Sequence, residues 1–264
     1  MKDGTHKLTV LRVTEKGRSS IEDLVAREIP LTIILNNREL VTLLCWPTDL
    51  KYLAIGFLAS EGLVNGRDEI ENVTIDDKRG LVRVETEEDK VFADELIFKR
   101  FITSGCGRGA SFYSAADVQG QRKIESQMRI SAPEILALVK ELRNRSKVYR
   151  TTGGVHSAGL CDSTSILVFA EDIGRHNAID KIFGQSLLEG IPTEDRAIIT
   201  SGRISSEILL KVAKRNIPVI ISKSAPTDLG VRLADQLGIT LIGFVRGKRM
   251  NVYSHEWRIV TDGE

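Results

Sequence analysis

Apolar runs and alternating apolar and polar residues fill much of the first hundred positions, which is typical of β-strands. The pattern predicts strands over Lys7–Thr14, Leu31–Leu35 and Glu39–Cys45, followed by a hairpin of Val73–Ile75 and Leu81–Val84. One segment has helical spacing instead, and it predicts a helix over Thr48–Leu63 with Thr48 as its N-cap. The N-terminal part is therefore expected to be rich in strands with one embedded helix.

From Ser131 onward, apolar strands alternate with helices. Ser131 and Glu134 have the spacing of a capping box, which predicts a helix through Leu142. Further strands are predicted at Val155–Cys161, Ile166–Ala170, Arg196–Ser201, Pro218–Ser222, Thr240–Val245 and Met250–His255, with helices at Arg175–Leu188, Ser205–Arg215 and Asp228–Leu237. Strands separated by helices of this length predict a largely parallel sheet covered by helices, an α/β architecture.

This change of pattern divides the chain into three segments. Residues 1–102 are predicted to form a smaller strand-rich domain, and residues 129–264 the α/β domain. Residues 103–128 between them are polar and weakly periodic, which is typical of a linker or a mobile segment.

The charge balance and the cysteine usage narrow the class of protein. Lysine and arginine total 37 against 36 acidic residues, a net charge of +1, so there is no general signature of a nucleic-acid or membrane partner. The three cysteines, Cys45, Cys106 and Cys161, form neither a disulfide framework nor a zinc motif, which indicates a reducing compartment. With a polar N-terminus and no apolar run of about 18 residues, the sequence predicts a cytoplasmic protein.

Cys106 lies in the glycine-rich run Thr103–Gly109, where little side-chain bulk surrounds the thiol. Arg108 supplies a nearby positive charge that favours the thiolate over the thiol. These features predict a reactive, nucleophilic cysteine; the alternative is a small apolar residue buried in a turn. Cys45 and Cys161 lie on apolar, strand-like runs and are predicted to belong to the core.

Small, polar and basic residues recur where predicted strands meet helices, in Thr151–His156, Glu171–Asn177, Thr200–Arg203 and Ser222–Thr227. Ligands of open α/β sheets bind beyond the carboxyl ends of strands, so these loops predict a ligand site, although each could serve only as a turn or a cap. The segment Phe244, Val245, Arg246, Gly247, Lys248 and Arg249 adds an aromatic ring and three basic side chains. Such a segment suits a phosphate-bearing ligand with a stackable base, and a solvated basic turn is the alternative.

Six stretches of the chain resemble the formate dehydrogenase accessory sulfurtransferase family, FdhD, and they occur in that family's order. They are Thr103–Gly107, Thr152–His156, Glu171–Lys181, Ser201–Glu207, Ser224–Thr227 and Leu241–Gly247. The run EDIGRHNAIDK, residues 171–181, is a far more specific signal than a lone glycine motif.

The resemblance implies a core similar to the cytidine deaminase fold, an added N-terminal domain and a homodimer. It implies a sulfurtransferase that receives sulfur as a persulfide from a cysteine desulfurase. The sulfur then passes to the molybdenum or tungsten bis(molybdopterin guanine dinucleotide) cofactor of formate dehydrogenase. Cys106 matches the persulfide-carrying cysteine, and Phe244–Arg249 matches the segment that contacts the cofactor. Family members often have C-x-x-C in this loop, whereas Gly109 stands at the second position here, which leaves a relay of one cysteine.

Two other functions compete with this interpretation. A zinc deaminase needs H-x-E and P-C-x-x-C motifs, and this sequence contains neither. His156 and His176 have no cysteine or carboxylate at ligand spacing, so no metal site is predicted. A non-catalytic chaperone that binds the molybdopterin cofactor or a nucleotide, with Cys106 incidental, stays open. A persulfide on Cys106 distinguishes the chaperone from the carrier.

Overall fold

The computed structural model describes residues 4–87 and 123–261, and its first feature is a long antiparallel hairpin. Strands β1 (Thr5–Thr14) and β2 (Gly17–Ala26) pair along their whole length. The sequence pattern predicts β1 but misses β2. Most side chains of β2 are exposed on both faces, so its sequence lacks the alternation that marks a half-buried strand.

The remaining N-terminal strands form a four-stranded sheet under one helix. They are β3 (Ile29–Leu35), β4 (Arg38–Cys45), β5 (Ile70–Asp76) and β6 (Leu81–Thr86), in the order β4-β3-β6-β5, and the helix is α1 (Leu50–Glu61). The predicted strands are confirmed, and β5 and β6 form the predicted antiparallel hairpin. The predicted N-cap is wrong: Asp49, in the left-handed conformation at φ 56°, precedes the helix, and its carbonyl accepts the Leu53 N–H at 2.9 Å.

A six-stranded sheet forms the centre of the C-terminal part, in the order β13-β12-β11-β10-β8-β9. Its strands are β8 (His156–Cys161), β9 (Ile166–Asp172), β10 (Ala197–Thr200), β11 (Val219–Ser222), β12 (Thr240–Arg246) and β13 (Arg249–Ser254). The helices are α2 (Ala132–Arg145), α3 (Lys147–Thr152), α4 (Arg175–Glu189), α5 (Ser206–Ala213) and α6 (Asp228–Leu237). The predicted capping box is present, with Ser131 and Glu134 bonded reciprocally at the start of α2. The mixed α/β architecture is confirmed.

Strand directions differ from the largely parallel sheet that the pattern predicts. Only the neighbours β10, β11 and β12 pair in parallel, and α5 and α6 connect them. The pairs β8–β9, β8–β10 and β12–β13 are antiparallel. Residues 162–165 and 247–248 are the connections of β8–β9 and β12–β13, and they are too short for the crossover that a parallel pair needs.

Consecutive residues of the central strands point to opposite faces of the sheet, and both faces are covered. Ile198, Ile220 and Leu241 pack into a cluster with residues of α4, α5 and α6. Their neighbours in the chain, Ile199, Ile221 and Ile242, pack into a second cluster with residues of α2. Strands buried on both faces leave only their ends for ligands.

Residues 123–128 are held in place, although the sequence assigns them to the mobile segment 103–128. Ile124 is buried in the core, and its N–H is donated to the Leu237 carbonyl at 2.9 Å. The buried guanidinium of Arg258 donates to the carbonyls of Ser126 and Gly238. The short strands β7 (Ile130–Ser131) and β14 (Ile259–Val260) then pair in parallel. The rest of that segment, residues 103–122, lies outside the described residues.

The N-terminal sheet has its own hydrophobic cluster, and α1 joins it to the C-terminal part. Helix α1 crosses α4 at two glycines. A methyl group added at Gly184 would lie 1.9 Å from the Tyr52 carbonyl oxygen, and one at Gly56 would lie 1.6 Å from the Asp180 carbonyl oxygen. Only glycine permits this approach of the two backbones.

The boundaries 1–102, 103–128 and 129–264 stay predictions. Within residues 4–87 and 123–261, no helix has the length and apolar character to cross a membrane.

Candidate functional site

The four predicted ligand loops meet at one edge of the six-stranded sheet. The carboxyl ends of β10 and β11 lie side by side, with Thr200 opposite Ser222. Strand β8 runs the other way, so its first residue, His156, lies at this same edge opposite Asp172, the last residue of β9. The structure therefore brings together segments that lie far apart in the sequence, as expected for the ligand-binding edge of an open α/β sheet.

Hydrogen bonds fix the loops at this edge to one another. The Ser201 hydroxyl accepts the Ser157 N–H at 3.0 Å and lies 3.3 Å from His156 Nδ1. The Ser222 hydroxyl donates to the Gly202 carbonyl at 2.6 Å. A ligand at this edge would therefore meet a preformed surface.

The basic segment Phe244–Arg249 forms the turn from β12 to β13 at the same edge. Phe244 has φ 51° and interrupts the register of the two strands, and its N–H is donated to the Ser224 carbonyl at 3.0 Å. This geometry leaves the Phe244 ring exposed, with the Arg246 guanidinium 5.5 Å from the ring centre. Gly247, Lys248 and Arg249 are exposed as well, whereas the Val245 side chain is buried in the core. The segment thus presents one ring and three cations to solvent.

A cavity of about 190 Å³ opens beside these loops. It is lined by Leu142, Arg143, Ser146, Tyr149, Arg150, Ser157, Ser201 and Lys223, and we call it the basic cavity. Burial, together with the charges of Arg143 and Arg246, lowers the pKa of Lys223. Three cationic side chains therefore share one opening, next to Arg246 of the basic segment.

Sequence reasoning missed Arg143 and Arg150 as site residues. Arg150 lies on α3, which has six residues and no apolar stripe to mark it as a helix. Glu171, at the end of β9, holds the start of α3 by accepting the N–H groups of Val148 and Tyr149 at 3.2 and 3.0 Å. Since this contact joins distant parts of the chain, no local signal could place Arg150 beside the strand ends.

Several polar side chains of the loop Glu171–Asn177 bind the N-terminal part of the protein, a role that the composition of the loop does not predict. The fully buried Asp172 carboxylate accepts the N–H of Trp46 at 3.1 Å and pairs with Lys181 at 2.7 Å. Lys181 also donates to the Trp46 carbonyl, and the Asn177 amide donates to the Leu44 carbonyl. These side chains are directed inward and fasten the end of β4 to the C-terminal part.

The same run carries a second joint and a buried histidine. Asp180 accepts the Ser60 hydroxyl at 2.6 Å and pairs with Lys211 at 2.6 Å, which fastens α1 to α4 and α5. Burial and the cations of Lys211 and Arg175 lower the pKa of His176 to about 3. Its imidazole is therefore neutral, and its Nε2 lies 3.2 Å from the Glu207 carboxylate.

Two of the three cysteines are unsuited to sulfur exchange. Cys45 and Cys161 are both fully buried, as the sequence predicts. Burial, and secondly the charge of Asp172, raises the pKa of the Cys45 thiol to about 12, and burial likewise raises the pKa of the Cys161 thiol. Cys106 lies outside the described residues.

This burial predicts how many thiols react in the folded protein. A neutral, buried thiol is a poor nucleophile, so iodoacetamide should leave Cys45 and Cys161 unmodified at mildly alkaline pH. We expect intact-mass spectrometry to show one modified cysteine of the three in the native protein, and peptide mapping to place it at Cys106. The control is the protein unfolded in urea, in which all three cysteines should react. Modification of Cys45 or Cys161 in the native protein would contradict the prediction.

In the part of the chain that the structure describes, no group of three or more histidine, cysteine, aspartate or glutamate side chains could hold a metal ion.

Comparison with known proteins places this geometry in a family. The model of the FdhD/NarQ family matches residues 26–260. "Sulfur carrier protein FdhD" of Bacillus subtilis is 47% identical over 93% of this chain and 94% of its own length. The protein of the same name from Bacillus pumilus is 44% identical over 98% and 99%. A crystal structure described as a putative formate dehydrogenase accessory protein from Desulfotalea psychrophila is 27% identical, with a TM-score of 0.80 over 97% of this chain and 99% of its own. The chain belongs to the FdhD/NarQ family.

Proposed function

We propose that this protein is a sulfurtransferase that carries sulfur as a persulfide on Cys106. It receives the sulfur from a cysteine desulfurase and delivers it to the bis(molybdopterin guanine dinucleotide) cofactor that formate dehydrogenase needs for activity. The observation that carries the proposal is the burial of Cys45 and Cys161, whose thiols have raised pKa values. Of the three cysteines in the sequence, this leaves Cys106 for exchange. The relatives named sulfur carrier protein FdhD support the same role.

The transfer uses ordinary thiol–persulfide exchange. The Cys106 thiolate attacks the outer sulfur of the donor's persulfide, the donor's sulfur–sulfur bond breaks, and the donor cysteine leaves as a thiolate. Cys106 then bears the persulfide, whose outer sulfur is at the sulfane level. Delivery of that sulfur to the cofactor as sulfide takes up two electrons, from a thiol reductant or from the metal of a reduced cofactor, and Cys106 is released as a thiolate. A relay of this kind needs one cysteine, in agreement with Gly109 at the position of a second one.

The strand edge suits the cofactor as a substrate. Its guanine bases and phosphates are matched by the exposed Phe244 ring and by the cations of Arg246, Lys248 and Arg249, with Arg203 exposed on the next loop. In this proposal the protein is a cytoplasmic homodimer, and its C-terminal part is related to the cytidine deaminase fold. These statements follow from the family resemblance.

Intact-mass spectrometry tests the proposed function directly. The protein is incubated with a cysteine desulfurase and cysteine, and its mass is measured before and after treatment with a reducing thiol. We expect the addition of one sulfur atom, which the reducing thiol removes, because a persulfide exchanges with thiols. A mass that stays unchanged would contradict sulfur transfer and would leave the non-catalytic cofactor chaperone as the function.

Binding of GDP, a fragment of the cofactor, tests the basic segment. Arg246→Ala together with Lys248→Ala removes two exposed cations at the turn, and we expect the GDP affinity measured by calorimetry to fall at least about tenfold. Affinity of the parent should also decrease as salt is added. Lys78→Ala with Arg79→Ala is the matched control, since it removes two cations from the β5–β6 turn of the other sheet. Equal GDP affinity of the Arg246/Lys248 variant and the parent would exclude this segment from the site.

A further inference from the structure

We propose that the basic cavity binds a phosphate group, at a site separate from the Phe244–Arg249 turn. The cavity lies between the end of α2, α3 and the strand ends, and Arg143, Arg150 and Lys223 line it. Its anion chemistry does not depend on sulfur transfer. The phosphate can be free phosphate or part of a nucleotide bound at the neighbouring turn. The nucleotide source rests on the proposed function, and the free phosphate does not.

Among residues 4–87 and 123–261, no carboxylate pairs with the cations that line the basic cavity. In the described ranges, no ion pair or side-chain hydrogen bond engages Arg143, Arg150 or Lys223. Arg145, two positions along the same helix, does pair with Glu141, at 2.6 Å. Convergence of three like charges is unfavourable without an anion, so the arrangement favours a ligand of negative charge.

Glu171 binds two residues that line the basic cavity, Tyr149 and Ser157, and its carboxylate is already engaged by the protein. Glu171 is buried and accepts the N–H groups of Val148 and Tyr149. The Ser157 hydroxyl also donates to it, at 3.3 Å. Because Glu171 does not line the cavity and its oxygens are engaged, it does not serve as the partner of the three cations.

The donors around the cavity suit the oxygens of phosphate. An arginine fork can donate two parallel hydrogen bonds to a phosphate, and a lysine adds a compact point charge. The Ser201 hydroxyl already accepts the Ser157 N–H, so its own proton is left for His156 Nδ1 or for a bound oxygen. Burial and the charge of Arg175 lower the pKa of His156, so its neutral imidazole takes part in hydrogen bonding at Ser201 and adds no positive charge.

The volume of the cavity decides how much of a ligand can enter. Its volume is about 190 Å³. Pockets that enclose a drug-sized ligand measure roughly 300–1,000 Å³. The basic cavity therefore accommodates a phosphate or a diphosphate group, while a base and a sugar stay outside it.

Either free phosphate or a phosphate of a nucleotide fits this chemistry. The Phe244 N–H is donated to the carbonyl of Ser224, the residue after Lys223, so the cavity lies next to the turn that presents Phe244. A nucleotide could therefore place its phosphates in the cavity and its base at the turn.

Calorimetric titration with inorganic phosphate, GDP and guanosine tests the inference. The test variant is Arg143→Ala with Lys223→Ala, and Arg145→Ala is the matched control on the same helix. We expect the double variant to lose at least tenfold in affinity for phosphate and for GDP, and the control to stay within twofold of the parent. Since Lys223 is partly buried, Arg143→Glu alone provides a second variant at an exposed position, with the same expected loss. Circular dichroism checks that each variant is folded.

The pattern of affinities identifies the source of the phosphate. GDP binding at least tenfold tighter than phosphate supports the site as part of a nucleotide site, and equal affinities support it as a site for free phosphate. Parent-like affinity of both variants, or no binding of phosphate and GDP to the parent, would overturn the inference. Sulfur loading of the same variants, measured by intact mass, reports on the proposed function separately, because that reaction requires Cys106.

Discussion

Replacing Cys106 with alanine is expected to abolish sulfur loading by a cysteine desulfurase. The other two thiols are buried, and their raised pKa values keep them protonated at neutral pH. No thiolate is therefore left to attack the donor's persulfide. Intact-mass spectrometry should show no added sulfur on Cys106→Ala, and formate dehydrogenase produced with this variant should be inactive.

Cys45→Ala and Cys161→Ala are the matched controls for this result. Both should load one sulfur atom as the parent does, because they change the core and not the reacting thiol. Each removes a buried sulfur, so its free energy of unfolding should fall by about 1 kcal/mol. Loading that persists in Cys106→Ala would show that the nucleophile lies elsewhere and would contradict the proposed relay.

The sequence predicts most strands and helices, since their apolar residues follow a regular period. Strand β2 and helix α3 are missed, and the physical reason differs between them. Strand β2 buries little on either face, so no alternation marks it. Helix α3 has six residues, and its start is held by Glu171, which lies more than 20 positions away in the chain. A short helix that is stabilised by a residue far away in the chain has no local sequence pattern from which it could be predicted.

The strand directions could have been predicted more accurately from connection lengths. Residues 162–165 join β8 to β9, and residues 247–248 join β12 to β13. Parallel neighbours need a crossover of about a dozen residues or more, and these two connections are too short to provide one. The alternation of apolar and polar residues identifies a strand. The length of the connection between two neighbouring strands limits whether they can be parallel.

The run EDIGRHNAIDK shows what a motif cannot reveal about its own role. Its polar and glycine residues predict a ligand loop at a strand end, yet Asp172 accepts its hydrogen bond from Trp46, 126 positions away. Asp180 pairs with Lys211 and the Ser60 hydroxyl in the same inward manner. The same polar residue can bind a ligand or a distant part of the backbone. The sequence around it does not distinguish these two roles, and only the folded structure does.

Because this run fastens the two parts of the chain together, its buried ion pair should have a large effect on stability. The Lys181 ammonium and the Asp172 carboxylate are 1% and 0% exposed and lie 2.7 Å apart. Lys181→Met keeps much of the side-chain volume but leaves the carboxylate buried without its cation. It also removes the donor to the Trp46 and Glu171 carbonyls. Removing one partner of a buried pair costs about 3–5 kcal/mol, a large part of the roughly 5–15 kcal/mol that stabilises a typical protein.

Urea unfolding followed by circular dichroism measures this loss for Lys181→Met. The double variant with Asp172→Asn should lose less than Lys181→Met alone, because the buried charge is then removed on both sides. Lys7→Met is the exposed control: Lys7 pairs with Glu22 on the β1–β2 hairpin, and its loss should stay below about 1 kcal/mol. If Lys181→Met unfolds within 1 kcal/mol of the parent, the pair is not the joint between the N-terminal sheet and the C-terminal part. The expected large loss would instead show that Lys181, in the run 171–181, holds the N-terminal sheet against the C-terminal part through its pair with Asp172.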